Sequence, residues 1–181
     1  MLLDQKRTRR TVQVVSILTS LAFAGVIFVV LGLIFFGGSG NTIADEQLSS
    51  AKSLVKKEPR NADAWESLAS AYAGTNKFPE AIAAAKRAAA LDPGSYRRLQ
   101  TLVSLQVGQL DNAGAIVTVQ AFTAKHPDNA EAVLQLAQLA EKDGKTALAR
   151  LSYQSFLRLA PDDPNAAAVR TRLKTLNAQA P

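Results

Sequence analysis

The chain has 181 residues, of which 48% are hydrophobic, many of them alanine, and only 6% are aromatic. Alanine is the best helix former, whereas strands are enriched in β-branched and aromatic residues, so this composition favours an all-α fold over a β-sandwich. The absence of cysteine excludes disulfides, cysteine-ligated zinc and a thiol nucleophile. Half of the formal net charge of +6 lies in residues 1–10, and the remainder is too dilute to indicate binding of nucleic acid.

Residues 11–36 form the first predicted element, an apolar run of 26 residues without a charged side chain. As a helix it would extend about 39 Å, whereas the hydrocarbon core of a bilayer is about 30 Å thick. A cleavable signal peptide is the alternative, since Ala22, Phe23 and Ala24 resemble a cleavage site. The apolar run nevertheless continues well beyond Ala24, further than the roughly 7–15 apolar residues of a signal peptide. The sequence therefore favours a transmembrane helix.

The charges that flank this helix predict its orientation. Residues 1–10 contain four basic residues, whereas Lys52 and Lys56 follow the helix together with Asp45 and Glu46. Because cytoplasmic flanks carry an excess of lysine and arginine, residues 1–10 are predicted to be a basic cytoplasmic tail of a single-pass protein in the cell membrane. The glycine-rich residues 37–41 are then a flexible linker, and the rest of the chain is extracytoplasmic, on the periplasmic side.

Four prolines reveal an internal repeat in the rest of the chain. Pro59, Pro93, Pro127 and Pro161 are each separated by 34 residues, and a fixed period of this size is typical of solenoids. Proline cannot donate the amide hydrogen bond that a continuing helix needs, so each one ends a helix. The pattern predicts three helix-turn-helix repeats over residues 59–163, between an N-terminal capping helix at 42–58 and a C-terminal capping helix at 164–178.

The first repeat shows how its two helices are expected to pack. Trp65, Leu68 and Tyr72 recur at helical spacing, and Ala81 and Ala85 follow after a break. Large side chains of one helix are therefore expected to fill gaps on the alanine-rich surface of the other. This spacing resembles the tetratricopeptide repeat, with its 34-residue W-x2-L-G-x2-Y…A-x3-F…P pattern. The resemblance covers roughly residues 62–161 and implies an α-solenoid of about three repeats with flanking capping helices.

The second repeat fits this pattern less closely than the first and third. Gly108 comes two residues earlier in its repeat than the turn residue Gly144 does in the third, and Gly114 stands early in the second helix. Glycine weakens a helix interior and favours turns. We therefore expect a shortened first helix or an irregular turn in the second repeat.

The sequence contains no constellation of residues that could carry out chemistry. His126 is the only histidine, and a catalytic or metal site needs partners that a single loop histidine does not have. No catalytic, cofactor-binding or metal-binding residue is predicted, and the protein is not expected to be an enzyme. A basic cluster formed by Lys86, Arg87, Arg97 and Arg98 is either a solvated surface or a site for an acidic partner or anionic lipid.

The resemblance implies that a protein or peptide segment binds on the concave surface formed by the first helices of the repeats. The expected function is a membrane-anchored protein-interaction module, acting as a scaffold or as an assembly or translocation helper in the cell envelope. The alternative is a homo-oligomeric structural membrane protein without a separate partner. The family pattern places ten residues on the concave surface: Asp63, Glu66, Ser70, Arg97, Gln100, Ser104, Glu131, Leu134, Gln138 and Glu141.

Overall fold

The computed structural model describes residues 43–178, which form eight helices and no strand. The predicted transmembrane helix at 11–36, together with the tail before it and the linker after it, lies outside the described residues. Within residues 43–178, no helix is long and apolar enough to cross a membrane. The helices are α1 (Ile43–Lys57), α2 (Ala62–Gly74), α3 (Phe78–Leu91), α4 (Tyr96–Gly108), α5 (Asn112–Lys125), α6 (Ala130–Lys142), α7 (Thr146–Leu159) and α8 (Ala166–Ala178).

The first helix of each repeat begins at a polar cap residue two positions after a repeat proline. Asn61, Ser95 and Asn129 precede α2, α4 and α6, and the side chain of each accepts hydrogen bonds from backbone N–H groups of the helix's first turn. Such caps satisfy donors that have no partner within the helix, and each stabilises its helix by about 1 kcal/mol. The 34-residue period therefore fixes where each first helix begins.

The turn between the two helices of each repeat also follows this period. Asn76, Leu110 and Gly144 all have positive φ angles, of 58°, 61° and 73°. In each turn the next residue donates its N–H to a carbonyl five residues back, at 2.8–2.9 Å. Since α4 has 13 residues like α2 and α6, the expectation of a shortened helix or an irregular turn in the second repeat was wrong. This repeated hydrogen bond holds Leu110 in the left-handed conformation that glycine adopts in the third repeat.

Gly114 supports the start of α5 instead of disturbing it. Its N–H donates to the Asp111 carboxylate at 2.9 Å, which caps the helix. A Cβ atom at position 114 would lie 2.1 Å from Oδ2 of Asp111, so the missing side chain leaves room for the capping carboxylate. The glycine that made this repeat look irregular therefore has a local packing reason.

The core of residues 43–178 consists of three clusters that join neighbouring helices along the array. In the first, the half-buried Trp65 and Tyr72 pack against Ala69, Ala84 and Ala85, each at most 3% exposed. The alanine surface lets the two helices approach closely, as the sequence pattern predicts. Clusters further along fill the same space with larger residues, and Ile116, Val119 and Phe156 are the largest of the fully buried side chains.

The two ends of the array carry single helices. α1 precedes Pro59 and packs on α2, so it occupies the second-helix position of a repeat whose first helix is not among residues 43–178. α8 packs on α7 and buries Val169 and Leu176. It begins at Ala166, two residues later than the sequence suggests, because Asp163 accepts the N–H of Asn165 at 2.7 Å in a preceding turn.

Candidate protein-interaction surface

The ten residues expected on the concave surface lie on α2, α4 and α6, the first helices of the three repeats. Seven are exposed, whereas Glu66, Leu134 and Glu141 are half-buried. The structure brings six of the ten together around two neighbouring clefts, and the other four, on α6, line neither. The six are Asp63, Glu66, Ser70, Arg97, Gln100 and Ser104.

The larger cleft, called here the α1–α2 groove, has a volume of about 950 Å³. It is lined by one side of α1, from Ile43 to Leu54, by Asp63, Glu66, Ser67, Ser70 and Ala71 of α2, and by Arg97 of α4. The smaller cleft, of about 400 Å³, lies between α2 and α4 and contains Gln100 and Ser104. Ser70 and Arg97 line both clefts, so a partner lying along the first helices would contact these two residues.

An ion-pair network lies where the clefts meet. The Arg97 guanidinium donates to Glu66 at 2.7 Å and to Asp63 at 3.4 Å. The neighbouring Arg98 donates to Glu66 at 2.5 Å, to Asp63 at 3.0 Å and, through Nε, to Asp92 at 3.0 Å. Two adjacent arginines on α4 thus bind two carboxylates on α2, and this fixes the first repeat against the second.

Burial separates the roles of the two arginines. The Arg98 side chain is only 9% exposed and that of Glu66 is 14% exposed, whereas Arg97 is 63% exposed. A buried charge needs hydrogen-bonded partners to offset its lost hydration, and Arg98 finds them in three carboxylates. Hydrogen bonding and charge from Arg98 also lower the pKa of Asp63. Arg98 is therefore a structural link, whereas Arg97 keeps most of its side chain exposed.

This network changes the interpretation of the predicted basic cluster. Arg97 and Arg98 are neutralised by carboxylates that the sequence places about one repeat earlier, whereas Lys86 and Arg87 are exposed on α3. The four residues therefore do not act as one free basic surface. The signal that would have identified the pairing is the separation of 31 residues between Glu66 and Arg97, which is close to one repeat.

Glu141 performs a similar linking role at the other end of the array. It accepts a hydrogen bond from the Tyr153 hydroxyl of α7 at 2.7 Å and ion-pairs with Arg172 of α8. The hydrogen bond from Arg172 lowers the pKa of Glu141, and burial raises the pKa of Tyr153. Glu141 thus joins α6, α7 and α8, which leaves it little capacity for a partner.

Titratable residues elsewhere in the described part of the chain form no second site. No group of three or more histidine, aspartate or glutamate side chains within residues 43–178 is arranged to hold a metal ion. The ring of His126 packs against Phe122 in a tilted arrangement, with centroids 4.5 Å apart. The backbone N–H of His126 ends α5 by donating to the Phe122 carbonyl.

The sequence of the chain matches the family model of the tetratricopeptide repeat over residues 48–96 and 101–164. Because the match covers more than half of the chain, the protein belongs to the tetratricopeptide repeat family. Comparison with curated protein sequences gives no match.

Solved structures share the fold at low sequence identity. A crystal structure of MamA protein is 20% identical with a TM-score of 0.58, covering 75% of this chain and 74% of its own. The thermophilic tetratricopeptide repeat protein TTC0263 of Thermus thermophilus is 20% identical with a TM-score of 0.52, covering 75% and 74%. The first repeat domain of Spaghetti (RPAP3), bound to the HSP90 peptide SRMEEVD, is 18% identical with a TM-score of 0.51, covering 66% and 92%. These likenesses show an all-helical repeat solenoid.

Proposed function

We propose that the protein is a membrane-anchored tetratricopeptide module that holds a partner protein at the cell membrane, as a scaffold or as an assembly or translocation helper in the cell envelope. The observation that carries the proposal is the pair of clefts that meet at Ser70 and Arg97. Clefts that bind other molecules are concave and combine apolar surface with a few placed polar groups. The peptide-bound Spaghetti domain supports a protein segment as the kind of ligand.

The membrane anchor in this proposal is the apolar segment 11–36, with the basic residues 1–10 in the cytoplasm. Protease added to intact spheroplasts should digest residues 43–178, and digestion only after lysis would contradict this orientation.

Site-directed photo-crosslinking tests the partner-binding role. A photoreactive amino acid at Ser70, which is exposed and lines both clefts, should crosslink to one partner protein in native membranes. The same amino acid at Lys86, which is exposed on α3 and lines neither cleft, is the matched control and should give no such product. Equal products from both positions would contradict binding at the clefts. A product of twice the chain's own mass would favour the homo-oligomer instead.

A further inference from the structure

The α1–α2 groove coincides with the position that a first helix occupies in a complete repeat. Ser50 and Ala51 of α1 line the groove. One period of 34 residues later stand Ala84 and Ala85 of α3, which are at most 3% exposed in the cluster where α2 packs. The groove wall on α1 is therefore the surface on which a first helix would pack.

The opposite wall, on α2, leads to the same position. Ser67 and Ala71 line the groove, and one period later α4 carries Thr101 and Leu105. Thr101 donates to Glu66 of α2 at 3.3 Å, and Leu105 packs against the hydrophobic cluster that includes buried residues of α2. These positions face the preceding first helix in the array. Both walls thus have the register and the small side chains that accept a helix lying antiparallel to α1.

The apolar and charged residues of the groove define the chemistry of that helix. Ile43, 76% exposed, and Leu54, 37% exposed, lie along the α1 wall. The groove is also lined by Glu46, for which no ion pair is found within residues 43–178, and by Arg97. Of the charged residues that line the groove, Glu46, Asp63 and Glu66 are acidic and only Arg97 is basic, so the groove has more negative than positive charge.

From these observations we propose that the α1–α2 groove binds an amphipathic helix of a partner protein, which completes the half-repeat. The helix carries small and apolar residues at i, i+3, i+4 and i+7, the spacing by which helices fill grooves, and a lysine or arginine toward Glu46. It spans about three turns, since the first helices here have 13 residues. The proposal rests on the proposed function and specifies the shape and charge of the bound segment.

Two other occupants fit the groove less well. The segment of this chain in the required register, residues 28–40, ends in Gly-Gly-Ser-Gly, and glycine disfavours a helix. The terminal helix α8 of a second copy presents Arg170, Thr171 and Lys174 on its exposed side, where the groove calls for an apolar stripe.

A labelled peptide tests the proposal directly. The probe is a stapled peptide of residues 61–75, the sequence of α2 with its cap, carrying Asp63→Lys and Glu66→Lys. It should bind saturably to the full-length chain in mild detergent, measured by fluorescence anisotropy. The unsubstituted, acidic peptide should bind about tenfold more weakly because it meets the carboxylates of the groove.

Two tryptophan substitutions on α1 locate the binding. Ser50→Trp fills the groove and should weaken binding of the peptide at least about tenfold. Ser49→Trp is the matched control, exposed on the same helix outside the groove, and should leave the affinity unchanged. Circular dichroism should show the same helix content for both variants. Absence of saturable binding, or equal loss in both variants, overturns the proposal.

Two further outcomes would assign the groove to a different occupant and also overturn the proposal. One is self-association of the full-length chain, measured by sedimentation, that Ser50→Trp abolishes. The other is peptide binding that appears only after residues 1–36 are removed. If the peptide does not bind while crosslinking at Ser70 still yields a partner, the proposed function is retained. Only the proposal that the groove binds a helix is then contradicted.

Discussion

Leu110 is expected to be a site where a single exposed substitution stabilises the fold. It has a φ of 61° in the turn between α4 and α5, and its side chain is 85% exposed. In the left-handed conformation the Cβ atom of an L-residue crowds the following carbonyl oxygen, which costs roughly 1–2 kcal/mol. Since the leucine side chain packs on little, almost nothing offsets this strain. Leu110→Gly should therefore raise the free energy of unfolding.

The size of the gain is limited by the freedom that glycine adds to the unfolded chain. This effect makes the folded protein with glycine at a position less stable, by about 0.4–1 kcal/mol, than the same protein with a residue that has a side chain. Subtracting the middle of this range from the middle of the strain range leaves a net stabilisation of about 0.8 kcal/mol for Leu110→Gly. The corresponding rise in melting temperature is about 1–4 °C for a domain of this size.

The other two repeats provide matched controls at the same turn position. Asn76→Gly should change stability little, because asparagine tolerates the left-handed region. Gly144→Leu should destabilise by an amount similar to the gain at Leu110, although the space around Gly144 is open. Urea unfolding of residues 41–181, followed by circular dichroism, measures all three variants. A loss of stability in Leu110→Gly would refute the strain argument, because it would mean that the exposed side chain contributes more than its backbone conformation costs.

Three further predictions concern packing and charge. Trp65 is half-buried and its indole N–H donates to a backbone carbonyl at 2.9 Å, so Trp65→Ala should lower the free energy of unfolding by about 2–3 kcal/mol, less than for a fully buried aromatic residue. Arg98→Met removes the main buried partner of Glu66 and should lower the free energy of unfolding by about 2 kcal/mol in urea titrations. A loss below about 0.5 kcal/mol would show that the network adds no stability. The pKa values of Asp63 and Glu141 lie below their ordinary 3.8 and 4.5, so their stabilisation is complete above those values and is lost as the pH falls through the lowered pKa. Melting curves between pH 7 and 2.5 should show this loss, and a flatter pH profile is expected for Asp63→Asn and Glu141→Gln.

The repeat architecture of the described chain was predictable because it depends on local signals that recur. Three signals favour a particular local conformation. They are the prolines, the caps at Asn61, Ser95 and Asn129, and the packing of the large Trp65 on small alanines. Agreement among such signals is what makes a repeat recognisable from one sequence. The membrane segment stays a prediction, since it lies outside the described residues.

The turn of the second repeat was mispredicted because a global constraint overrides a local preference there. The sequence suggests Gly108 as the turn residue, but it is the last residue of α4 and the left-handed residue is Leu110. The hydrogen bond from the N–H of Asp111 to the carbonyl of Gln106, at 2.9 Å, and the packing of both helices fix the turn regardless of residue type. Propensity is a weak guide when tertiary contacts determine the backbone.

The candidate site was only partly predictable, because side-chain pairing depends on distances that a sequence does not contain. The family pattern placed Glu66 and Arg97 on one surface, and the structure joins them at 2.7 Å. It could not show that the adjacent Arg98 turns inward to the same carboxylate, because burial of Arg98 depends on how α2 and α4 pack. The network therefore both limits the free charge of the clefts and holds their walls in place. If the proposed partner binds in the clefts, a variant at Arg98 alters its affinity through the position of α2, whereas a variant at Ser70 alters it only by contact. Comparing the two variants then distinguishes the effect of a rigid wall from that of a direct contact.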